Sequence, residues 1–222
     1  RRPADLVRDN MLTIAHVLDA AQRHGVVSLL CLASSCCYPR DCPQPMRPEY
    51  LWSGPLEPTS RAYAAAKLAG IELCLAYREQ YGMRVTVGIP ATIYGLYEDD
   101  GGEDGDLHVV DDLARRMRRA RDADEDKVVI WGSGEPRRDF IHINHLADAC
   151  KFILEQMVGR CPAVINISFS GETSIRELAE LTKRRVGFQG LLEFDRSRPD
   201  GAPCKVLDSE PLFDLGWKPE IS

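Results

Sequence analysis

Ser34, Tyr63 and Lys67 are the residues of this chain best suited to act on a substrate together. Tyr63 and Lys67 are four positions apart in a segment with helical periodicity, so both side chains fall on one helix face. Ser34 directly follows an apolar run, VVSLLCLA, that reads as a strand. A free tyrosine has a pKa of about 10 and is a poor acid at neutral pH. A neighbouring ammonium stabilises the phenolate and lowers that value. A serine hydroxyl alongside could hold the oxygen that the tyrosine protonates. The three groups together form an acid/base set for a carbonyl undergoing reduction. A Tyr–Lys pair at this spacing is common on helix surfaces, and the place of Ser34 at a strand end is what gives the pair weight.

These residues need a scaffold, and the chain alternates helices with strands. Ala4–His24 carries Leu6, Met11, Ile14, Leu18 and Ala21 at helical spacing, closed by Gly25. Val26–Ala33 reads as a strand buried on both faces of a parallel sheet. Ser34–Ser60 is rich in proline and reads as an irregular surface loop. Arg61–Gln80 is helical, with Gly82 just past its end. Arg84–Ile89 is a second buried strand, stopped by Pro90. A Gly/Asp-rich loop, Ala91–Leu107, leads to a helix, His108–Arg121, and then to a strand, Lys127–Trp131. After a Gly132-Ser133-Gly134 turn the reading gives a short strand at Asp139–Ile141 and a helix at Asn144–Met157. It continues with a strand at Val164–Ile167, a helix at Ser174–Val186, strands at Leu191–Phe194 and Lys205–Leu207, and a last helical turn at Pro211–Leu215. Such alternation predicts an α/β fold with a parallel sheet. Functional residue types gather just after the first two strands, where open α/β sheets place their sites.

Composition narrows the function classes. At 222 residues the chain suits one domain, or one domain with a small lobe. A net charge of −6 argues against a nucleic-acid or anionic-membrane partner. No apolar run reaches about 18 residues, so no transmembrane helix is expected. Arg1-Arg2-Pro3-Ala4-Asp5 lacks an apolar signal core. Eight cysteines are too few for a disulfide scaffold of this length. Cys31, Cys74 and Cys150 sit in apolar segments and read as small core residues. Cys31, Cys36, Cys37 and Cys42 cluster without a paired CxxC or a nearby histidine, so no metal site is expected. The chain reads as cytoplasmic and reduced.

Several segments are more specific than the Tyr–Lys spacing. LASSCCYP, GPLEPTSRAYAAAKLAGIELCLAYREQYG and VVIWGSGEPRRDFIHINHLADAC closely resemble GDP-L-fucose synthases, members of the extended short-chain dehydrogenase/reductase superfamily. INISFSGETSIRELAELTKRRVGFQG, FDRSRPDGAPCKVLD and LGWKPEIS continue the resemblance along essentially the whole chain. It implies a Rossmann-type doubly wound parallel sheet, N-terminally incomplete, with a small α/β C-terminal substrate lobe. The expected division is 1–131 for the NADP-binding domain and 132–222 mainly for the lobe, with some segments returning to the first domain.

The family epimerises C3 and C5 of GDP-4-keto-6-deoxy-D-mannose and then reduces C4 with NADPH. C3 and C5 both flank the carbonyl, so their protons are acidified through an enolate, and one site needs a base, an acid, a hydride source and a proton donor. By resemblance Cys36 and His108 serve epimerisation, and Ser34, Tyr63 and Lys67 serve reduction. Leu32, Ala33, Ser34, Ser35, Lys67, Pro90, Ala91, Thr92, Ile93 and His108 would face NADP(H). Arg116, Trp131, Arg138 and Lys205 would hold the GDP-sugar, arginine being suited to phosphate. His142 and His145 read as structural. The superfamily also implies a homodimer through helices 4–24 and 61–80, with Ala15, Val17, Ala65, Ala66, Ala69 and Leu73 on their outer faces.

Departures from the family pattern bear on the substrate. Thr92 replaces an Asn, Asp111 a Pro, Leu191 a basic residue of some members, and Cys204 a common Arg. No G-x-x-G-x-x-G fingerprint for a dinucleotide pyrophosphate occurs in the chain. The expectation is therefore of a fragment or truncated form, weak in NADPH binding by itself. Another NDP-sugar epimerase/reductase, or a non-catalytic homologue keeping a nucleotide-sugar pocket or dimer surface, stands as the alternative.

Overall fold

The computed structural model describes residues 2–95, 109–157, 159, 161–169 and 171–219. The chain folds as two compact units. Unit 1 comprises Arg1–Ala91, Asn144–Ser170 and Leu207–Ser222, and unit 2 comprises Thr92–Ile143 and Gly171–Val206. Both are α/β with parallel strand pairing.

Unit 1 is built on a three-stranded parallel sheet of β1 (Ser28–Leu32), β2 (Arg84–Pro90) and β6 (Val164–Ile167), in the order β1-β2-β6. The central strand β2 is buried on both faces, with Val85, Val87 and Ile89 at 2% exposure or less. The same was expected of Val26–Ala33, and here the structure differs. Val27 lies before the strand and is 62% exposed, and Leu32 is 42% exposed, because β1 is an edge strand of this sheet among the described residues. Gly88 in β2 permits the close packing beside it. A Cβ there would lie 2.7 Å from the Ile167 side chain.

Two 21-residue helices pack against each other in unit 1: α1 (Pro3–Arg23) and α2 (Arg61–Tyr81). Pro3 in the first turn suits a helix start, where its missing N–H goes unused, and Gly82 closes α2 at φ +64°. Leu18 and Ala21 of α1 and Ala64, Leu68 and Ile71 of α2 are core residues. Ala66 is 2% exposed and belongs to that core, not to the outer face expected of it with the dimer.

The proline-rich stretch between β1 and α2 is irregular, with three short 3-10 turns, but it is not simply a surface loop. Tyr38 and Met46 are buried at 2% and 1% exposure. Asn166 of β6 explains their burial. Its Oδ1 accepts the Tyr38 hydroxyl at 2.6 Å, and its Nδ2 donates to the carbonyls of Met46 at 2.8 Å and Asp208 at 3.0 Å. A buried amide with all its main bonding capacity used ties three distant segments together. The helices α4 (Ile143–Gln156) and α6 (Glu210–Asp214) complete the unit, with Trp217 fully buried and its indole N–H bonded to Asp148 at 2.8 Å.

In unit 2, α3 (Val109–Asp122) and α5 (Ile175–Val186) share a core with the parallel pair β4 (Lys127–Trp131) and β8 (Leu191–Asp195). A second sheet centres on β5 (Arg137–His142). It pairs in parallel with β3 (Thr92–Tyr94) and β9 (Cys204–Lys205) and antiparallel with β7 (Glu172–Ser174). β3 falls within the expected loop Ala91–Leu107, and β7 was not foreseen. Both are three residues long, too short for a period to register. Ser174 and Glu177 form a reciprocal capping box that starts α5. Among the described residues no helix is long and apolar enough to cross a membrane.

Candidate active site

The parallel pairing of β1 with β2 runs one residue beyond the strand, through Ala33 N–H to the Gly88 carbonyl at 2.8 Å. This fixes Ser34 at the carboxyl end of the sheet. Ser34 is extended, at φ −151° and ψ 145°, and its Oγ accepts the Cys36 N–H at 3.3 Å to start a 3-10 turn over Ser35–Cys37. Cys36 is therefore held two residues from Ser34 and half-buried, while Cys37 is completely buried. Burial pushes the Cys37 thiol up to about 12, so it stays a thiol.

Tyr63 and Lys67 lie one turn apart on α2, and both are half-buried. Burial raises the Tyr63 phenol above its ordinary pKa, and the nearby Ser34 hydroxyl offsets only part of that rise. Lys67 does not reverse it. Its Nζ lies 5.7 Å from the Tyr63 ring centre and donates to the Leu32 carbonyl at 3.3 Å. Burial, rather than the neighbouring ammonium, dominates the Tyr63 phenol, which lies above its ordinary pKa and not below it as expected.

The remaining segments expected at the cofactor lie as follows. Ala33, Pro90 and Ala91 are buried, Ser35 is half-buried and Leu32 is exposed. Ala91 N–H is bonded to the Ile167 carbonyl at 2.9 Å. Thr92 and Ile93 are in β3 of unit 2, opposite Phe140 and Ile141. His108 lies outside the described residues.

Unit 2 holds the four residues expected at the GDP-sugar. Trp131 ends β4 and is 68% exposed, with the Arg198 guanidinium 5.2 Å above its ring. Arg138 and Lys205 are register partners in β5 and β9. Arg138 is half-buried, which lowers its pKa, and its Nη1 donates to the carbonyls of Arg137 and Ala202, both at 2.7 Å. Arg116 on α3 donates to the Val129 carbonyl and pairs with Asp112 at 3.4 Å. His142 packs edge-on against Tyr94, and His145 stacks on Phe169.

Residues 1–168 match the model of the NAD dependent epimerase/dehydratase family. The chain belongs to that family. It is 44% identical over 220 residues to GDP-L-fucose synthase 1 of Arabidopsis thaliana, covering 99% of this chain and 67% of that protein. To the GDP-L-fucose synthase of Escherichia coli strain K12 it is 39% identical over 227 residues, covering 99% and 70%. Among solved structures, GDP-mannoheptose C4 reductase from Campylobacter jejuni with NADP bound superimposes with a TM-score of 0.86 at 28% identity, covering 99% of this chain and 71% of that one. The chain spans about two thirds of the length of the curated relatives it matches. It is a homologue of the GDP-L-fucose synthases, and its α/β fold is that of the family's epimerases and reductases.

The donor set of unit 1 fits one part of the dinucleotide this family uses. An ammonium, a phenol and a hydroxyl at one strand end suit a nicotinamide ribose and a carbonyl beside it. The residues that would meet the pyrophosphate through a glycine-rich turn do not occur in the sequence.

Proposed function

We propose that this chain contributes the Ser–Tyr–Lys machinery of an NADP-dependent epimerase/reductase that converts GDP-4-keto-6-deoxy-D-mannose to GDP-L-fucose. The observation that carries the reading is Ser34 at the carboxyl end of β1, with Lys67 bonded to that same strand end from α2 and Tyr63 one turn before it. The hydroxyls of Ser34 and Tyr63 can both donate to one ketone oxygen. Ser34 orients the C4 carbonyl, and Tyr63 gives its proton to the oxygen as C4 is reduced. NADPH, when bound, supplies the hydride. Lys67 stabilises the phenolate left behind and holds the nicotinamide ribose. Leu32–Ser35 and Pro90–Ile93 form the wall on the cofactor side. Cys36 and His108 exchange protons at C3 and C5, positions that the C4 carbonyl acidifies. Arg116, Trp131, Arg138 and Lys205 hold the GDP moiety.

A second reading is reduction at C4 of a different GDP-keto-sugar without epimerisation. The likeness to a GDP-mannoheptose C4 reductase favours it, as does Leu191, 71% exposed where some members carry a basic residue. Incubating the protein with NADPH and GDP-4-keto-6-deoxy-D-mannose in D2O separates the two. The first reading predicts NADPH oxidation together with deuterium at C3 and C5 of the product. Oxidation without deuterium at either carbon supports the second, and neither oxidation nor deuterium uptake contradicts the first. The protein is further proposed to act as a homodimer through α1 and α2.

A further inference from the structure

The turn after β4 is clasped by a carboxylate to which sequence reading gave no role. Asp200 lies in the loop between β8 and β9. Its Oδ1 accepts the Ser133 backbone N–H at 2.8 Å, and its Oδ2 accepts the Ser133 hydroxyl at 2.7 Å. The Ser133 Oγ in turn accepts the Glu135 N–H at 3.1 Å. Gly132 sits at φ +89°, and a Cβ on it would lie 2.3 Å from Asp200 Oδ1. Glycine is required there both for the backbone and for the carboxylate's approach. The Ser133 bonds hold the Asp200 carboxyl below its ordinary pKa, with Arg196 and Arg138 adding to the effect.

Both sides of this clasp carry groups suited to a nucleoside diphosphate. On the first side Trp131 directly precedes Gly132 and offers an exposed ring to a base. On the second, the loop that contains Asp200 places Arg198 over that ring and fixes Arg138 through the Ala202 carbonyl. Lys205 follows in register beside Arg138. A paired, charge-assisted bond between the two chain segments sets the spacing of an aromatic platform from two cations. Without it the loop must be ordered when ligand binds, and that cost falls on affinity.

We propose that Asp200 is a positioning residue for the nucleoside diphosphate of the sugar nucleotide, acting through Ser133 to fix Trp131 relative to Arg138 and Lys205. This rests on the reading of unit 2 as the holder of the GDP moiety. It reaches beyond that reading, because Asp200 itself need not touch the ligand.

GDP and NADPH binding are measured by calorimetry on the protein, alongside thermal melting, for wild type and for Asp200→Ala, Asp200→Asn and Ser133→Ala. Asp200→Ala is expected to weaken GDP about 10- to 100-fold, the scale of one or two charge-assisted bonds, with NADPH affinity unchanged. Asp200→Asn keeps an amide oxygen for the Ser133 N–H and should recover part of the loss. Ser133→Ala combined with Asp200→Ala should be no worse than Asp200→Ala by itself, because both break one clasp. The KM for the sugar nucleotide should rise while kcat holds. GDP binding by Asp200→Ala within twofold of wild type, or equal loss of GDP and NADPH, overturns the proposal. If Asp200→Ala does not fold, Ser133→Ala decides, and unchanged GDP affinity in that variant is equally contrary. A wild-type protein that binds no GDP overturns the underlying reading along with this one.

Discussion

Lys67 donates to the carbonyl of Leu32 at 3.3 Å, so the ammonium expected to serve Tyr63 is bonded to the end of β1. Burial dominates the Tyr63 phenol and raises it above its ordinary pKa.

That arrangement has a pH signature. The folded state favours the protonated phenol, so its contribution to stability is full below the unfolded value of about 10 and fades as pH rises through the raised folded value. An ultraviolet difference titration between wild type and Tyr63→Phe should show this phenolate only above pH of about 10. Ionisation near neutral pH would mean that the ammonium controls the phenol after all.

Cys36 and Cys37 should differ sharply as nucleophiles. Cys37 is inaccessible and its thiol is pushed up to about 12, whereas Cys36 is partly open. Brief alkylation at pH of about 8, read by peptide mass spectrometry, should label Cys36 and leave Cys37 unmodified until the protein is denatured. Equal labelling of the two would contradict the geometry.

Asn166 should matter more to stability than a polar residue usually does. Asn166→Ala removes the acceptor of the buried Tyr38 hydroxyl and a donor to the Asp208 carbonyl. Buried groups left unpaired cost about 1–3 kcal/mol each, so urea unfolding should report a loss of roughly 3 kcal/mol. Tyr38→Phe should cost less, because both Asn166 amide donors keep their partners. A change of under about 0.5 kcal/mol for Asn166→Ala would remove this residue from the account.

Dimerisation can be tested on the exposed side of α1. Val17 is 43% exposed there. Sedimentation at micromolar concentration should give a dimer for wild type and a monomer for Val17→Asp. A wild-type monomer would dismiss the proposed helix-pair interface.

The sequence carried the elements whose signal is local. Leu6, Met11, Ile14 and Leu18 mark α1 by their spacing, Gly82 marks the end of α2, and the four-residue spacing of Tyr63 and Lys67 puts them one turn apart on that helix. What was missed depends on partners far along the chain. Glu172–Ser174 is a strand only because β5 offers an antiparallel edge. Asn166 reads as one polar residue in an apolar run until Tyr38, Met46 and Asp208 converge on it. Asp200 looks like an ordinary turn residue until Ser133 folds back to meet it. Spacing placed Lys67 beside Tyr63 but could not set its rotamer, and the rotamer decides which partner receives the ammonium.

The most direct test uses Tyr63→Phe with NADPH and GDP-4-keto-6-deoxy-D-mannose in D2O, following NADPH oxidation and deuterium at C3 and C5 in the same sample. The account predicts that reduction falls about 10²–10⁴-fold, the scale of a lost general acid, while deuterium still enters both carbons at the wild-type rate. Reduction at the wild-type rate would contradict Tyr63 as the proton donor.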